Sequence, residues 1–367
     1  MAMKEEQRET LSTGEEDKLT PVVSIDLNKV KSFSDMTNAM SKTAFTGRTL
    51  GEGTDVLYDM ITDKDCFVVM TLAGAMTVAK MGLIITEMID RGMVNAIIST
   101  GALMAHGFIE GIGFKHYKYE WGSMNDRELY LKGYDRVYDT IELEKNLDDT
   151  EFIVRDLFRK IEDRSKPICS YKINWLLGKY LKETIPGRAI LKSAYEKKIP
   201  VYIPAFTDSE MGVDFNVHNR RMKSEGIPPL IYDPFLDFDH YTETINKQKK
   251  LGLFTIGGGV PRNWAQQVGP TLDIIKKRVG VGGGFKRFHY AVRICPEPVH
   301  WGGLSGCTYS EGVSWGKIVP KEEGGKWAEV MIDATVAWPL MVKSVIERME
   351  KNNMKVINKK FEYASEE

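Results

Sequence analysis

From residue 66 onward, short apolar runs alternate with longer segments whose apolar residues recur at helical spacing, and few folds accept that pattern. CFVVMTLAG (66–74) reads as a buried strand, and MTVAKMGLIITEMIDRG (76–92), closed by a glycine, reads as a helix. VNAIIST (94–100) is a second strand. VYIPAFTD (201–208), LFTIGGG (253–259), HYAVRIC (289–295) and AEVMIDAT (328–335) are further short apolar runs, each separated by a helical pattern. Such runs are too apolar for a half-solvated sheet, so the alternation predicts an α/β fold: a parallel, Rossmann-like sheet with helices on both faces.

Between about 115 and 200 the chain is more charged and more helical, with KINWLLGKYLKETI (172–185) as its clearest amphipathic helix; this is an excursion from the sheet. No Pro/Gly/Ser-rich linker and no internal repeat sets it apart, so residues 21–367 are expected to form one large domain. The charged stretch MAMKEEQRETLSTGEEDKLT buries too little apolar surface to offset ordering, and residues 1–20 are read as a mobile tail.

Charge and cysteine usage exclude several classes. Fifty Lys+Arg against fifty-one Asp+Glu argue against a nucleic-acid binder. Cys66, Cys169, Cys295 and Cys307 form no Cys-x-x-Cys pair and no disulfide framework, which fits a reducing cytoplasm. No run approaches the ~18 apolar residues of a membrane span. The six histidines show no zinc-like spacing, so no metal site is indicated, and no Gly-x-Ser-x-Gly elbow marks a serine hydrolase.

In doubly wound sheets ligands bind beyond the carboxyl ends of the strands. Those ends carry small or polar residues: Thr71 to Gly74, Thr100 to Ala102, Thr207-Asp208, Gly257 to Gly259 and Asp333 to Thr335. Turns require such residues in any case. The glycine spacing of a dinucleotide fingerprint is absent, although Gly257-Gly258-Gly259-Val260 follows a strand and opens a helix.

Ser310-Glu311-Gly312-Val313-Ser314-Trp315-Gly316-Lys317-Ile318 has two readings. One is a helix end with a buried indole and a solvated lysine. The other is a site for an amine: a lysine attacks a carbonyl or imine carbon only as the free amine, and moving its pKa from ~10.4 to near 7 takes on the order of 4 kcal/mol. Burial against Trp315 would supply that desolvation, and Glu311 would bind an ammonium group.

EGVSWGKI, with GGGV opening a helix, PAFTD and DAT, resembles the deoxyhypusine synthase family over roughly residues 66–350. The resemblance implies an NAD-dependent reaction in which spermidine is oxidised and its aminobutyl group is held as an imine on the motif lysine. The group then passes to an acceptor amine, either a lysine of a translation factor or, in homospermidine-making relatives, putrescine. It also implies a homotetramer with sites shared across a dimer interface. Carried over by position, Lys317 is the nucleophile, Trp315 a wall along the polyamine and Glu311 an amine-binding carboxylate. NAD would meet Leu72, Ala73, Gly74, Ala75, Met76, Thr100, Gly101, Ala102, Asp208, Gly258, Asp333 and Ala334.

Several pocket positions depart from the family pattern. Its catalytic histidine falls on Asn263, and the aspartate of a Gly-Ser-Asp-Ser-Gly stretch falls on Leu304. A pocket glutamate falls on His106, and an aspartate falls on Val213 with Asp214 one place later. His106, Glu210, Asp214 and Glu297 are candidates to compensate. Fewer carboxylates mean fewer ammonium partners, hence a changed substrate preference, with a noncatalytic NAD- or polyamine-binding relative as a second reading.

Overall fold

The structure is a computed structural model that describes residues 11–365. Residues 1–10, half of the expected tail, and the last two residues lie outside the described part. Residues 11–20 lie almost wholly in solvent.

Nine strands occur among the described residues: β1 (Cys66–Leu72), β2 (Ala96–Ser99), β3 (Tyr117–Lys118), β4 (Tyr134–Val137), β5 (Thr140–Leu143), β6 (Val201–Tyr202), β7 (Lys250–Ile256), β8 (Phe288–Ile294) and β9 (Lys326–Val330). Six of them form one sheet in the order β6-β2-β1-β7-β8-β9, and every pair in it is parallel. All seven β1 residues are buried, as a strand covered on both faces requires.

Alternation along β1 divides the core. Val68, Met70 and Leu72 enter a cluster with Ile85, Met104 and Trp338, while Phe67 and Val69 enter a second with Tyr241, Ala265 and Val268. The first set comes from the helices Gly82–Asp90, Gly101–Gly111 and Ala334–Lys351, the second from Phe235–Asn246 and Gly259–Val279. Helices therefore cover both faces, as the sequence pattern predicts.

Three expectations shift in detail. The helix expected over 76–92 is broken at Lys80, whose φ of 64° is left-handed, and the regular helix is Gly82–Asp90. The strand expected over 201–208 shrinks to two residues because Pro200 and Pro204 bracket it; such a strand belongs at a sheet edge, where β6 lies. The excursion holds helices, but also a three-stranded antiparallel sheet in the order β3-β5-β4, built around Tyr119, Leu129 and Ile141.

Strand order reverses between β1, which leads to β2 and β6, and β7, which leads to β8 and β9. The turns after β1 and β7 flank that switch point, the place where doubly wound sheets bind ligands. No helix among the described residues is long and apolar enough to cross a membrane.

Candidate active site

Local capping chemistry explains the Trp-Gly-Lys order. Thr308 caps the short helix Tyr309–Ser314: its Oγ1 accepts from Glu311 N at 3.1 Å, and Glu311 Oε2 accepts from Thr308 N at 3.1 Å. At the other end Gly316 takes a φ of 67°, Gly316 N donates to Val313 O at 3.0 Å, and Lys317 N donates to Gly312 O at 2.9 Å. Those two bonds are a Schellman closure, which places glycine at the left-handed position and the lysine directly after it. Phe288 N then donates to Lys317 O at 3.0 Å, fixing the lysine backbone against the first residue of β8. The lysine backbone is thus anchored at the amino end of β8, not at the carboxyl ends where the other candidates gather.

From that anchor the Lys317 side chain enters a cavity of about 530 Å³ between the helix Gly259–Val279 and the loop 302–308. Lys317 Nζ donates to Asn263 Oδ1 at 3.1 Å and sits 5.4 Å from the Trp315 ring centroid. Asn263 Nδ2 donates to Gln267 Oε1 at 2.6 Å, which turns the amide oxygen toward the lysine. Burial holds the Lys317 pKa below its usual value; Cys307 opposes this and the Arg262 guanidinium reinforces it.

Trp315 is 66% exposed in the single chain, so the indole is one open wall of the cavity and not the whole of the lysine's cover. The desolvation comes from the cavity walls. Glu311 is exposed, and its bond from the Thr308 backbone holds its carboxyl below the usual carboxylate range. It is thus a helix cap and an ionised group on the cavity wall at once.

Sequence reasoning missed the two arginines that shape this wall. Arg262 (3% exposed) donates to Leu304 O and Cys307 O, and Arg293 (1% exposed) donates to Ser305 O and Cys307 O. Glu329 balances Arg293 at 3.1 Å. Arg262 adjoins Asn263 in the glycine-led run, but a buried guanidinium leaves no local signature.

His106 and Asp214 do not line the Lys317 cavity. His106 Nδ1 lies 3.2 Å from Glu142 Oε2, and its Nε2 lies 3.6 Å from Glu210 Oε1. Asp214 faces a small crevice against Ala105, Phe108 and Thr150, where burial, and then Glu151 and Glu210, push its carboxyl up to about 7. Val213 is exposed, and Glu297 packs behind Gly303 of the cavity loop.

The candidate cofactor residues follow β1, β2, β6, β7 and β9 along the carboxyl edge of the sheet. Thr100 and Gly258 precede the helices Gly101–Gly111 and Gly259–Val279, neither of which has a side-chain cap on its first N–H groups. Two uncapped helix N-termini fit an anionic pyrophosphate. Asp208 is exposed in the turn after β6, and Asp333 caps the helix Ala334–Lys351 by accepting from Thr335 N at 2.8 Å. Leu72 is fully buried and offers only backbone. Gly258 has a need inside the protein as well: a Cβ there would run into the Ser305 backbone.

The family model described as deoxyhypusine synthase matches residues 35–345. The chain belongs to the deoxyhypusine synthase family. A Methanosarcina acetivorans member, "Probable deoxyhypusine synthase 2", is 35% identical over 331 residues, covering 89% of this chain and 90% of that one. An Elusimicrobium minutum "Deoxyhypusine synthase-like protein" is 31% identical, covering 86% and 81%. A solved structure of an Entamoeba histolytica protein assigned to the deoxyhypusine synthase family superposes with a TM-score of 0.55 at 12% identity, covering 88% of this chain and 96% of that one. That likeness speaks for the fold.

Proposed function

We propose that the chain is an NAD-dependent aminobutyltransferase acting on polyamines. The observation that carries this reading is Lys317: a lysine withdrawn from water, with a lowered pKa, its amine held by Asn263 inside the 530 Å³ cavity. NAD would be held by the uncapped helix ends after β2 and β7 and by the turns that carry Asp208 and Asp333, and would supply hydride acceptance and return when bound. The chain's own residues perform the exchange. Lys317 attacks as free amine at the C=N carbon of the oxidised polyamine; a bond forms to Nζ, the older C–N bond breaks, and 1,3-diaminopropane leaves with the proton. An acceptor amine then displaces the lysine in the same way.

Glu311 offers an ionised carboxylate to a substrate ammonium and Trp315 an apolar wall with a π face. Leu304, where the family has an acid, favours a small diamine acceptor such as putrescine, giving homospermidine; the family resemblance favours a lysine of a translation factor. Leu304 and Trp315, at 51 and 66% exposed, line the cavity, and Trp301, 70% exposed, precedes its loop; a second copy would cover these apolar groups, in keeping with a homotetramer. Four free cysteines suit the cytoplasm.

The test is incubation with NAD and spermidine, with and without putrescine, followed by borohydride reduction and mass analysis. An aminobutyl adduct on Lys317 with homospermidine supports the small-amine acceptor, and the adduct alone points to a protein lysine. Binding of both ligands without adduct or 1,3-diaminopropane overturns transfer in favour of a noncatalytic binder.

A further inference from the structure

We propose that His106, His116 and Glu142 form a divalent-cation site of the zinc class that ties the small antiparallel sheet to the helix Gly101–Gly111. The three come from separate segments: His106 from that helix, His116 from just before β3, and Glu142 from β5. Their donor atoms all lie within 4.8 Å of one another. His106 Nδ1 is 3.2 Å from Glu142 Oε2, His116 Nε2 is 2.6 Å from that oxygen, and the two ring nitrogens are 3.5 Å apart. Tetrahedral ligands about 2.0–2.1 Å from zinc stand about 3.3 Å from each other, so only the shortest separation must widen, by less than about 1 Å.

Burial and outer contacts favour the same reading. The His106, His116 and Glu142 side chains are 12, 0 and 1% exposed. Glu142 Oε1 is saturated by Asn146 Nδ2 at 2.7 Å and Leu143 N at 2.9 Å, which directs Oε2 at the two rings. With His106 ligating through Nδ1, its Nε2 faces Glu210, the carboxylate–histidine arrangement that orients metal-bound imidazoles. Glu210 Oε2 is itself buried without a hydrogen-bond partner. Two imidazoles and one carboxylate suit zinc far better than magnesium or calcium, which prefer oxygen.

Lys80 competes with the cation. Its Nζ lies 2.8 Å from His116 Nδ1, and because an ammonium only donates, the His116 proton then sits on Nε2 and is given to Glu142. Metal capture moves that proton to Nδ1 and releases Lys80. The lysine is 45% exposed and has Glu110 at 3.5 Å as its other partner, so it can leave. Removing Lys80 therefore strengthens the site.

The experiment uses tag-free full-length protein equilibrated with Zn²⁺, with Mg²⁺ as control, reading bound metal by mass spectrometry and affinity by competition with a chromophoric chelator. The expected result is about one Zn²⁺ per chain, held in preference to Mg²⁺. Glu142→Gln and His116→Ala should each weaken Zn²⁺ by more than the about 10- to 100-fold that outer contacts contribute. Lys80→Met should tighten it, and Zn²⁺ should slow amide exchange over residues 115–143 in the parent but not in Glu142→Gln. Folded parent protein that loses Zn²⁺ to a weak chelator overturns the proposal, as does unchanged affinity in Glu142→Gln. If His116→Ala does not fold, Glu142→Gln and Lys80→Met decide the matter.

Discussion

Asn263 Oδ1 accepts a hydrogen bond from Lys317 Nζ at 3.1 Å, and a neighbouring glutamine locks the amide in that orientation. A carboxamide can position an amine but cannot exchange a proton with it. In the proposed transfer the pair would separate two tasks, holding the nucleophile and moving its proton, that one imidazole could perform together.

Asn263→His should restore the second task. Adduct formation in this variant is expected to gain a pH limb near the ordinary histidine pKa of about 6.5 and to rise about 10-fold or more above it. Asn263→Ala should lower the rate at all pH values without a new limb. Rapid-quench trapping across pH 5–9 reads both; an identical profile in all three proteins removes position 263 from the chemistry.

Lys317 links activity to stability through its lowered pKa. Below the folded-state pKa both folded and unfolded chains hold the proton, and burial of the charge opposes folding. As pH rises from the folded value toward 10.5 the folded chain gives up the proton first, so its stability rises through that window. Lys317→Met should abolish adduct formation while resisting urea better than the parent at pH 7, with the advantage shrinking as pH approaches 10.5. Urea midpoints at three pH values check the sign.

Asp214 behaves in the opposite sense. Its carboxyl is pushed up to about 7, so between 3.8 and about 7 the folded chain binds more protons than the unfolded one, and stability falls as pH rises through that range. Asp214→Asn should be more stable than the parent at pH 8 by about 1–2 kcal/mol, a figure reduced for partial solvation, and should converge with it below about pH 4. Equal denaturation midpoints at pH 8 would remove the assigned strain.

Glu311 can be tested for its two roles separately. Glutamine can still complete the capping box, so Glu311→Gln should leave the melting temperature nearly unchanged while raising KM for spermidine about 10-fold. Thr308→Ala should do the reverse, costing about 1 kcal/mol of stability with little change in KM. A Glu311→Gln variant with unaltered KM confines this residue to capping.

Much of the scaffold was legible because β1 and most of β7 are short, buried, largely apolar runs, and β8 keeps enough apolar residues around His289 and Arg293 to read the same way. β6 was legible as an apolar run but not in its length, whereas β3, at two residues, lacks the length to produce a periodic signal, and β4 and β5 alternate too briefly. At the site, Lys317, Trp315 and Glu311 were singled out because they lie within seven consecutive residues, so that one short motif carries all three. His116 and Glu142 could not be, because they meet His106 across 10 and 36 residues through tertiary packing alone. Arg262 and Arg293 look like any arginines until the loop they bind is folded over them.

Those two guanidiniums grip the loop 302–308 by the carbonyls of Leu304, Ser305 and Cys307, contacts that every amino acid offers equally. At Leu304, Ser305 and Cys307 the path of that loop is therefore set by backbone rather than by side chains, whereas Gly302, with a φ of 74°, and Gly306, where a Cβ would meet the Pro298 backbone, are held to glycine. Position 304 can carry an acid or a leucine without the chain changing course, so the cavity can be redecorated at that point. The loop behaves as an exchangeable face on a fixed mount, and selection can try new substrates without rebuilding the support.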